Sequence, residues 1–329
     1  MTPLRVHLVH APDPEPLARL RELIVPQVEI TCGPELPAPP AYHVLVTGRP
    51  ERAQLTTSPH LRMLVIPWAG LPVTTRDLLR EFPGIAVHNL HHNAAPVAEL
   101  VLALLLAATK FVLPLDRALR AGDWTRRYQP PRARLLEGGT ALILGYGAIG
   151  QRVARSCRAL GMRVLATRRH PERVPPDCPD AVYGPDALPD LLPRADALII
   201  TLPLTDATRG LIGADELARL PEGAVLVNMG RGPIVEEGAL YHALRDGALH
   251  AAGLDVWYRY PPDEEARAHT WPSEYPFHEL DNVVLSPHRG GAVGAQQTAM
   301  LRMTALAALF NAVAQGHAAP NRVDVDAGY

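Results

Sequence analysis

The sequence predicts an α/β protein of two doubly wound domains, the second inserted into the first. Three observations predict it. Short apolar runs alternate with helical pieces through the first hundred residues. A glycine-punctuated turn, Gly145-x-Gly147-x-x-Gly150, then joins an apolar run to an amphipathic stretch. Beyond it the alternation resumes more regularly as far as Gly291, and a last helical pattern follows. Short apolar runs between helices are what parallel sheets covered on both faces require.

Taken in order, the runs 4–9, 28–31, 44–47, 63–66 and 85–88 suit buried parallel strands. Helical pieces such as 17–23 and 74–79 lie between them. The segment 95–115 is apolar almost all round, which predicts one long helix buried on most sides. Six further strands are expected at 141–144, 164–167, 197–202, 224–228, 253–256 and 283–285, and a closing helix at 296–314. A chain that leaves its first domain and returns to it explains that last helix. The expected division is 1–109 with 292–329 for one domain and 110–291 for the other.

Composition narrows the function. The 329 residues are 47% hydrophobic and 20% charged, with a formal net charge of −2. That balance predicts neither a nucleic-acid patch nor a membrane-surface role. The longest apolar run, 100–109, is far short of the ~20 residues a spanning helix needs. The N-terminus lacks the apolar core of a signal peptide. Cys32, Cys157 and Cys178 have no metal-ligand spacing, so no metal site is expected and a reducing cytoplasm fits best. Cys157 falls on the apolar face of the helix after the glycines. Lys110 is the single lysine and follows no glycine loop, which argues against a P-loop or a Schiff-base enzyme.

The glycine turn carries a specific chemistry. Gly145 makes the tight turn, Gly147 lets the backbone approach a pyrophosphate, and Gly150 lets helix and strand pack closely. The helix start adds free N–H groups and a positive dipole end. After the next strand, where NAD sites carry an Asp or Glu, this chain has Thr167-Arg168-Arg169. Guanidinium groups suit a phosphate better than a bare ribose, so NADP(H) is the preferred dinucleotide, with NAD(H) as the other option.

Three later strand ends add reactive side chains. Arg231 lies in NMGRGPIVEEGAL, Asp255 in LDVW and His288 in LSPHRGG. In an open α/β sheet, ligands bind outside the carboxyl ends of the strands, so these groups are expected to converge. With these motifs, the chain resembles the D-isomer-specific 2-hydroxy acid dehydrogenases, in particular the glyoxylate/hydroxypyruvate reductases. The likeness runs from the Ala69-Gly70 loop through VAE (97–99), the glycine turn, TLPLTDATRGLI (201–212) and the Arg231 and His288 motifs.

The resemblance implies a Rossmann-type NAD(P)-binding domain inserted in a flavodoxin-like substrate domain, and a homodimer. It implies hydride transfer between the dinucleotide and a small 2-oxo or 2-hydroxy acid of D configuration. His288 is then the acid/base and Arg231 binds the carboxylate and carbonyl. Backbone amides of Ala69, Gly70 and Leu71 hold the carboxylate. Ala148, Ile149, Pro203, Thr208, Met229, Gly230, Asp255 and Gly290 match cofactor-contacting positions, beside Gly145, Gly147, Gly150 and Thr167-Arg168-Arg169.

Two positions depart from the family pattern. The Glu that usually partners the histidine is replaced by Tyr260, which can orient the ring but cannot supply a charge. Glu264, Glu265 and Glu274, in the long segment 263–279, are the carboxylates that could fold back in its stead. Pro72 stands where relatives often carry Asp. The missing Glu also keeps open a second class, a dinucleotide-binding sensor with the same fold and little turnover.

Overall fold

The computed structural model describes residues 3–130, 132–174, 178 and 181–329. The chain divides into two compact units, Met1–Asn93 with Ala292–Tyr329, and Ala94–Gly291.

The first unit opens with β1 (Leu4–Leu8), α1 (Pro14–Leu23), β2 (Val28–Cys32), β3 (Val44–Val46), α2 (Arg52–Thr56), β4 (Met63–Ile66), α3 (Val73–Leu79) and β5 (Ala86–Asn89). The strands form a parallel sheet of order β2-β1-β3-β4-β5 among the described residues. That is the flavodoxin-like order 2-1-3-4-5. Val44, Leu45, Leu64, Val65 and Ile66 are fully buried, as apolar runs between two helical layers require.

The second unit runs through α4 (Ala94–Lys110), α5 (Val112–Arg120), β6 (Thr140–Leu144), α6 (Ala148–Ala159), β7 (Arg163–Thr167), β8 (Ala181–Tyr183) and α7 (Leu188–Leu191). It continues with β9 (Ala197–Ile200), α8 (Ala214–Ala218), β10 (Val225–Asn228), α9 (Glu237–Arg245), β11 (Ala251–Leu254) and β12 (Val283–Leu285). Its sheet is parallel, of order β12-β11-β10-β9-β6-β7-β8. The order reverses between β6 and β9, and such a switch point is where a crevice opens above the strand ends. The chain then returns to the first unit with α10 (Ala295–Ala314).

Three expectations are corrected. The segment 95–115 is not one helix but α4 and α5, bent by 67° at Phe111, whose φ of 54° breaks the helix. The helix α4 belongs with the second unit, not the first. Leu104 packs so tightly on β11 that a Cβ on Gly253 would lie 2.7 Å from its own Cβ. The second sheet has a seventh strand, β8, an edge strand whose residues are exposed or part-buried rather than core, so the search for buried apolar runs does not mark it.

Local details fit the sequence in other places. Cys157 is fully buried on the inner face of α6. The single lysine is structural, Lys110 Nζ donating to the Arg134 carbonyl at 2.6 Å. Asn311 of α10 closes the end of α1, accepting from Val25 N–H at 2.9 Å and donating to the Leu23 carbonyl at 2.8 Å. No single helix is long and apolar enough to cross a membrane, and no metal-holding group of side chains occurs, among the described residues.

Candidate active site

At the switch point the chain makes the turn its glycines predict. Gly145 has φ 100°, a region open to glycine and strained for other residues. Its N–H and that of Tyr146 donate to the Thr167 carbonyl at 3.1 and 3.0 Å. Thr201, beyond β9, donates its hydroxyl to the Gly145 carbonyl at 2.8 Å. A Cβ on Gly150 would lie 2.0 Å from the Gly145 carbonyl oxygen, so that glycine is demanded by the protein's own packing. A Cβ on Gly147 would meet nothing within 4 Å. Open space beside Gly147, at the start of α6, is what a pyrophosphate needs, and the turn fits a dinucleotide. Ala148 and Ile149 follow in the first turn of α6, both part-exposed.

Thr167 ends β7 buried, and Arg168 comes next, its N–H bonded to the Tyr183 carbonyl at 2.9 Å. That bond to β8 fixes the backbone from which the Arg168 guanidinium projects. Arg168 is part-buried and Arg169 exposed. Across the switch point, the Thr208 hydroxyl donates to the Pro203 carbonyl at 2.7 Å and accepts from Thr205 N–H at 2.8 Å, holding the turn after β9.

The side chains that the motifs single out lie beyond β10, β11 and β12. Asn228, the last residue of β10, shapes the next loop. Its Oδ1 accepts from Gly230 N–H at 3.0 Å and its Nδ2 donates to the Arg231 carbonyl at 3.1 Å. A Cβ on Gly230 would come within 2.5 Å of the Leu202 carbonyl oxygen, and Met229 is buried beside it. Arg231 follows with extended backbone, one guanidinium N–H donating to the Gly230 carbonyl at 2.7 Å.

Asp255, just past β11, is fully buried. Its Oδ1 accepts from Ser286 Oγ and from Arg289 N–H at 2.7 Å, and its Oδ2 accepts from Gly290 N–H at 2.9 Å. The carboxylate is thereby committed to the loop that carries His288. His288 has φ 57°, a left-handed conformation that costs a non-glycine residue ~1–2 kcal/mol. The bonds from Asp255 to the next two N–H groups offset that cost. Gly290 has no room for a side chain, since a Cβ would lie 2.6 Å from Met229 Cε and 2.8 Å from Asp255 Oδ2.

Tyr260 stands against the His288 ring. Its Oη lies 3.0 Å from His288 Nδ1 and accepts from Trp257 N–H at 3.1 Å. With that N–H donating to it, the phenol is free to donate to a neutral imidazole or accept from a charged one. In either state His288 Nδ1 has a partner, and Nε2 has no hydrogen bond among the described residues. The protein packed around the ring, and then the Arg231 guanidinium, hold the His288 pKa below its ordinary value, against a smaller opposing effect of Asp255. Burial raises the pKa of Tyr260, so the phenol stays protonated.

The glutamates of 263–279 do not take the place of the missing acid. Glu264 pairs with Arg267 and Glu274 with Arg259, while Glu265 lies exposed in a short turn. Phe277 is buried and Tyr275 packs on Tyr241, whereas Trp271 is exposed and stacks on His278.

In the first unit, Ala69, Gly70 and Leu71 follow β4, part-buried. Their N–H groups make no hydrogen bond among the described residues. Pro72 precedes the first turn of α3, where its carbonyl accepts from Arg76 N–H at 2.8 Å. Sequence reasoning missed Asn228 and Ser286, which shape the two loops. Each lies within three residues of a reactive group, but a lone Asn or Ser at a strand end has no distinctive spacing.

The fold and this arrangement define a dinucleotide-dependent oxidoreductase. Residues 102–290 match the model of the D-isomer specific 2-hydroxyacid dehydrogenase NAD-binding domain, and the chain belongs to that family. It is thus an NAD(P)-dependent enzyme of that general type, acting on small 2-oxo or 2-hydroxy acids. Among curated relatives it is 38% identical over 291 residues to a glyoxylate reductase of Aeropyrum pernix, covering 86% of this chain and 82% of that one. It is 34% identical over 249 residues to glyoxylate/hydroxypyruvate reductase B of Yersinia enterocolitica, covering 74% and 72%. Among solved structures it is similar in fold to a D-isomer specific 2-hydroxyacid dehydrogenase of Xanthobacter autotrophicus crystallised with NADPH, with a TM-score of 0.76, 24% identity and full coverage of both chains.

Proposed function

We propose that this chain reduces small 2-oxo acids, glyoxylate to the achiral glycolate and hydroxypyruvate to its D-2-hydroxy acid, with NADPH preferred over NADH. The observation that carries the reading is the ring of His288, bonded through Nδ1 to Tyr260, with Nε2 open and Arg231 close enough to depress its pKa. Gly145, Gly147, Ala148, Ile149 and Gly150 would hold the pyrophosphate side of the dinucleotide. Pro203, Thr208, Met229, Gly230, Asp255 and Gly290 would line its remaining length. When bound, the dinucleotide supplies the hydride.

The chain's own residues do the rest. Arg231 offers parallel N–H donors to the carboxylate and carbonyl of the acid, which orients the carbonyl and polarises it. The N–H groups of Ala69, Gly70 and Leu71 bind the carboxylate. His288 donates a proton from Nε2 as the alkoxide develops. Tyr260 accepts from Nδ1–H while the ring is charged, which fixes the ring's direction without adding a negative charge. Reduction needs the imidazolium, and His288 has a lowered pKa. The rate of reduction is therefore full below that pKa and falls as pH rises through it, already below the ordinary histidine value.

Thr167, Arg168 and Arg169 support NADPH, two guanidinium groups following the strand end where the adenosine ribose would lie. The test is steady-state oxidation of NADPH and NADH over a panel of glyoxylate, hydroxypyruvate, pyruvate and phenylpyruvate. A homodimer is part of the reading, with a second copy covering the exposed Val112, Leu113, Leu115 and Leu119 of α5. The reducing cytoplasm is its proposed location, where Cys32, Cys157 and Cys178 stay reduced.

A further inference from the structure

The loop after β4 has no glycine signature, yet two of its successive carbonyls are held from one side. Leu90 N–H donates to the Trp68 carbonyl at 3.3 Å, and Asn89 Nδ2 donates to the Ala69 carbonyl at 2.6 Å. In a trans peptide the C=O and the next N–H point opposite ways. The described cis bond is elsewhere, at Ala38–Pro39. Pinning the Trp68 and Ala69 carbonyls toward the end of β5 therefore turns the Ala69 and Gly70 N–H groups to the other side. Neither N–H has a partner among the described residues. Successive N–H groups facing one way form an anion-binding concavity.

Asn89 is itself held fast. It is buried, and pairs in register with Ile66, where β4 ends. Its N–H donates to the Asn321 carbonyl at 3.1 Å, and its carbonyl accepts from Asn321 Nδ2 at 3.2 Å. The C-terminal segment runs on along the edge of β5, Val323 N–H donating to the Val87 carbonyl at 2.8 Å. Asn89 Oδ1 is buried with no partner among the described residues, so no other group turns the amide away from Ala69.

We propose that Asn89 is a positioning residue for the substrate carboxylate, aiming the Gly70 N–H by holding the Ala69 carbonyl, with Asn321 fixing Asn89 from behind. This rests on the proposed reduction of 2-oxo acids. The test is glyoxylate kinetics at saturating NADPH for the wild type, Asn89→Ala, Asn89→Asp and Asn321→Ala. Thermal melts and NADPH titrations accompany them. The Asp variant keeps the volume of Asn and removes the donor.

Both Asn89 variants should raise KM for glyoxylate about tenfold, the effect of one lost hydrogen bond that orients a donor. Their kcat should stay within about twofold and their NADPH Kd should be unchanged. Asn321→Ala should raise KM about twofold. An unchanged KM in a folded Asn89→Asp overturns the proposal. So does a KM rise matched by an equal loss of NADPH affinity, which marks general loss of structure. If Asn89→Ala does not fold, Asn89→Asp and Asn321→Ala decide the matter on the same criteria. A wild type that turns over no 2-oxo acid defeats the underlying reading, whereas an active wild type with insensitive variants defeats Asn89 alone.

Discussion

One sheet presents two different surfaces at its carboxyl ends. On the β6–β7 side the groups proposed to bind are backbone: a turn opened by Gly145 and Gly147, the start of α6, and the chain leading into Arg168. On the β10–β12 side the proposed groups are side chains: Arg231, Asp255, His288 and Tyr260, braced by Asn228 and Ser286. The first surface is built by leaving atoms out. The second is built by adding atoms and then restraining them with hydrogen bonds. Binding can rest on geometry alone, whereas proton transfer needs a group of suitable pKa held in one orientation.

The largest effect should come from the side-chain surface. His288→Asn should lower kcat/KM for glyoxylate by roughly 10²–10⁴-fold. Asn tolerates the left-handed backbone at this position, so the melting temperature should hardly change. Survival of most of the activity would mean that the β10–β12 side is not the chemical one.

The backbone surface can be split into its two uses of glycine. Gly150→Ala forces a Cβ to within 2.0 Å of a carbonyl oxygen and should destabilise the fold by about 1–3 kcal/mol, read in denaturant melts. Gly147→Ala meets no protein atom, so stability should hold within about 0.5 kcal/mol while NADPH binding weakens. Equal melts for the two variants would erase the distinction between the packing glycine and the ligand-facing one.

Cofactor choice comes next in size. Arg168→Asp should remove roughly 10–100-fold of the preference for NADPH over NADH, as loss of a charge-assisted phosphate contact implies. An unaltered ratio would leave Arg168 as a solvated surface group.

These predictions also mark what the sequence made legible. Gly145, Gly147 and Gly150 are visible because leaving out a side chain at fixed spacing has a steric cause. Most strand positions could be read because buried parallel strands are short apolar runs. The end of α4 could not, because Phe111 is apolar and only its left-handed backbone ends the helix. Nor could β8, an edge strand that is exposed or part-buried rather than core. Among the reactive groups, Arg231 and His288 stand out by motif. The supports of the first unit's loop do not, because Asn89 lies twenty residues from Ala69 and Asn321 more than two hundred from Asn89. Tyr260 was conspicuous as the residue in place of an acid, but its shared bond with Trp257 N–H depends on how 257–260 folds.

The smallest effect is the finest test of the side-chain surface. Tyr260→Glu places a carboxylate where the phenol meets His288 Nδ1. A nearby negative charge favours the imidazolium, so the decline of reduction with rising pH should move up by about one pH unit. Identical pH–rate profiles for wild type and variant would remove Tyr260 from the account.

The reduction of 2-oxo acids with NADPH at this sheet end is the proposal on which the rest depends. It is tested most directly by kcat/KM for NADPH and for NADH with glyoxylate and hydroxypyruvate, measured on the wild type beside the NADPH Kd. Turnover of at least one of these acids and a clear preference for NADPH are expected. Tight NADPH binding with no turnover of any 2-oxo acid would contradict it and favour a dinucleotide sensor.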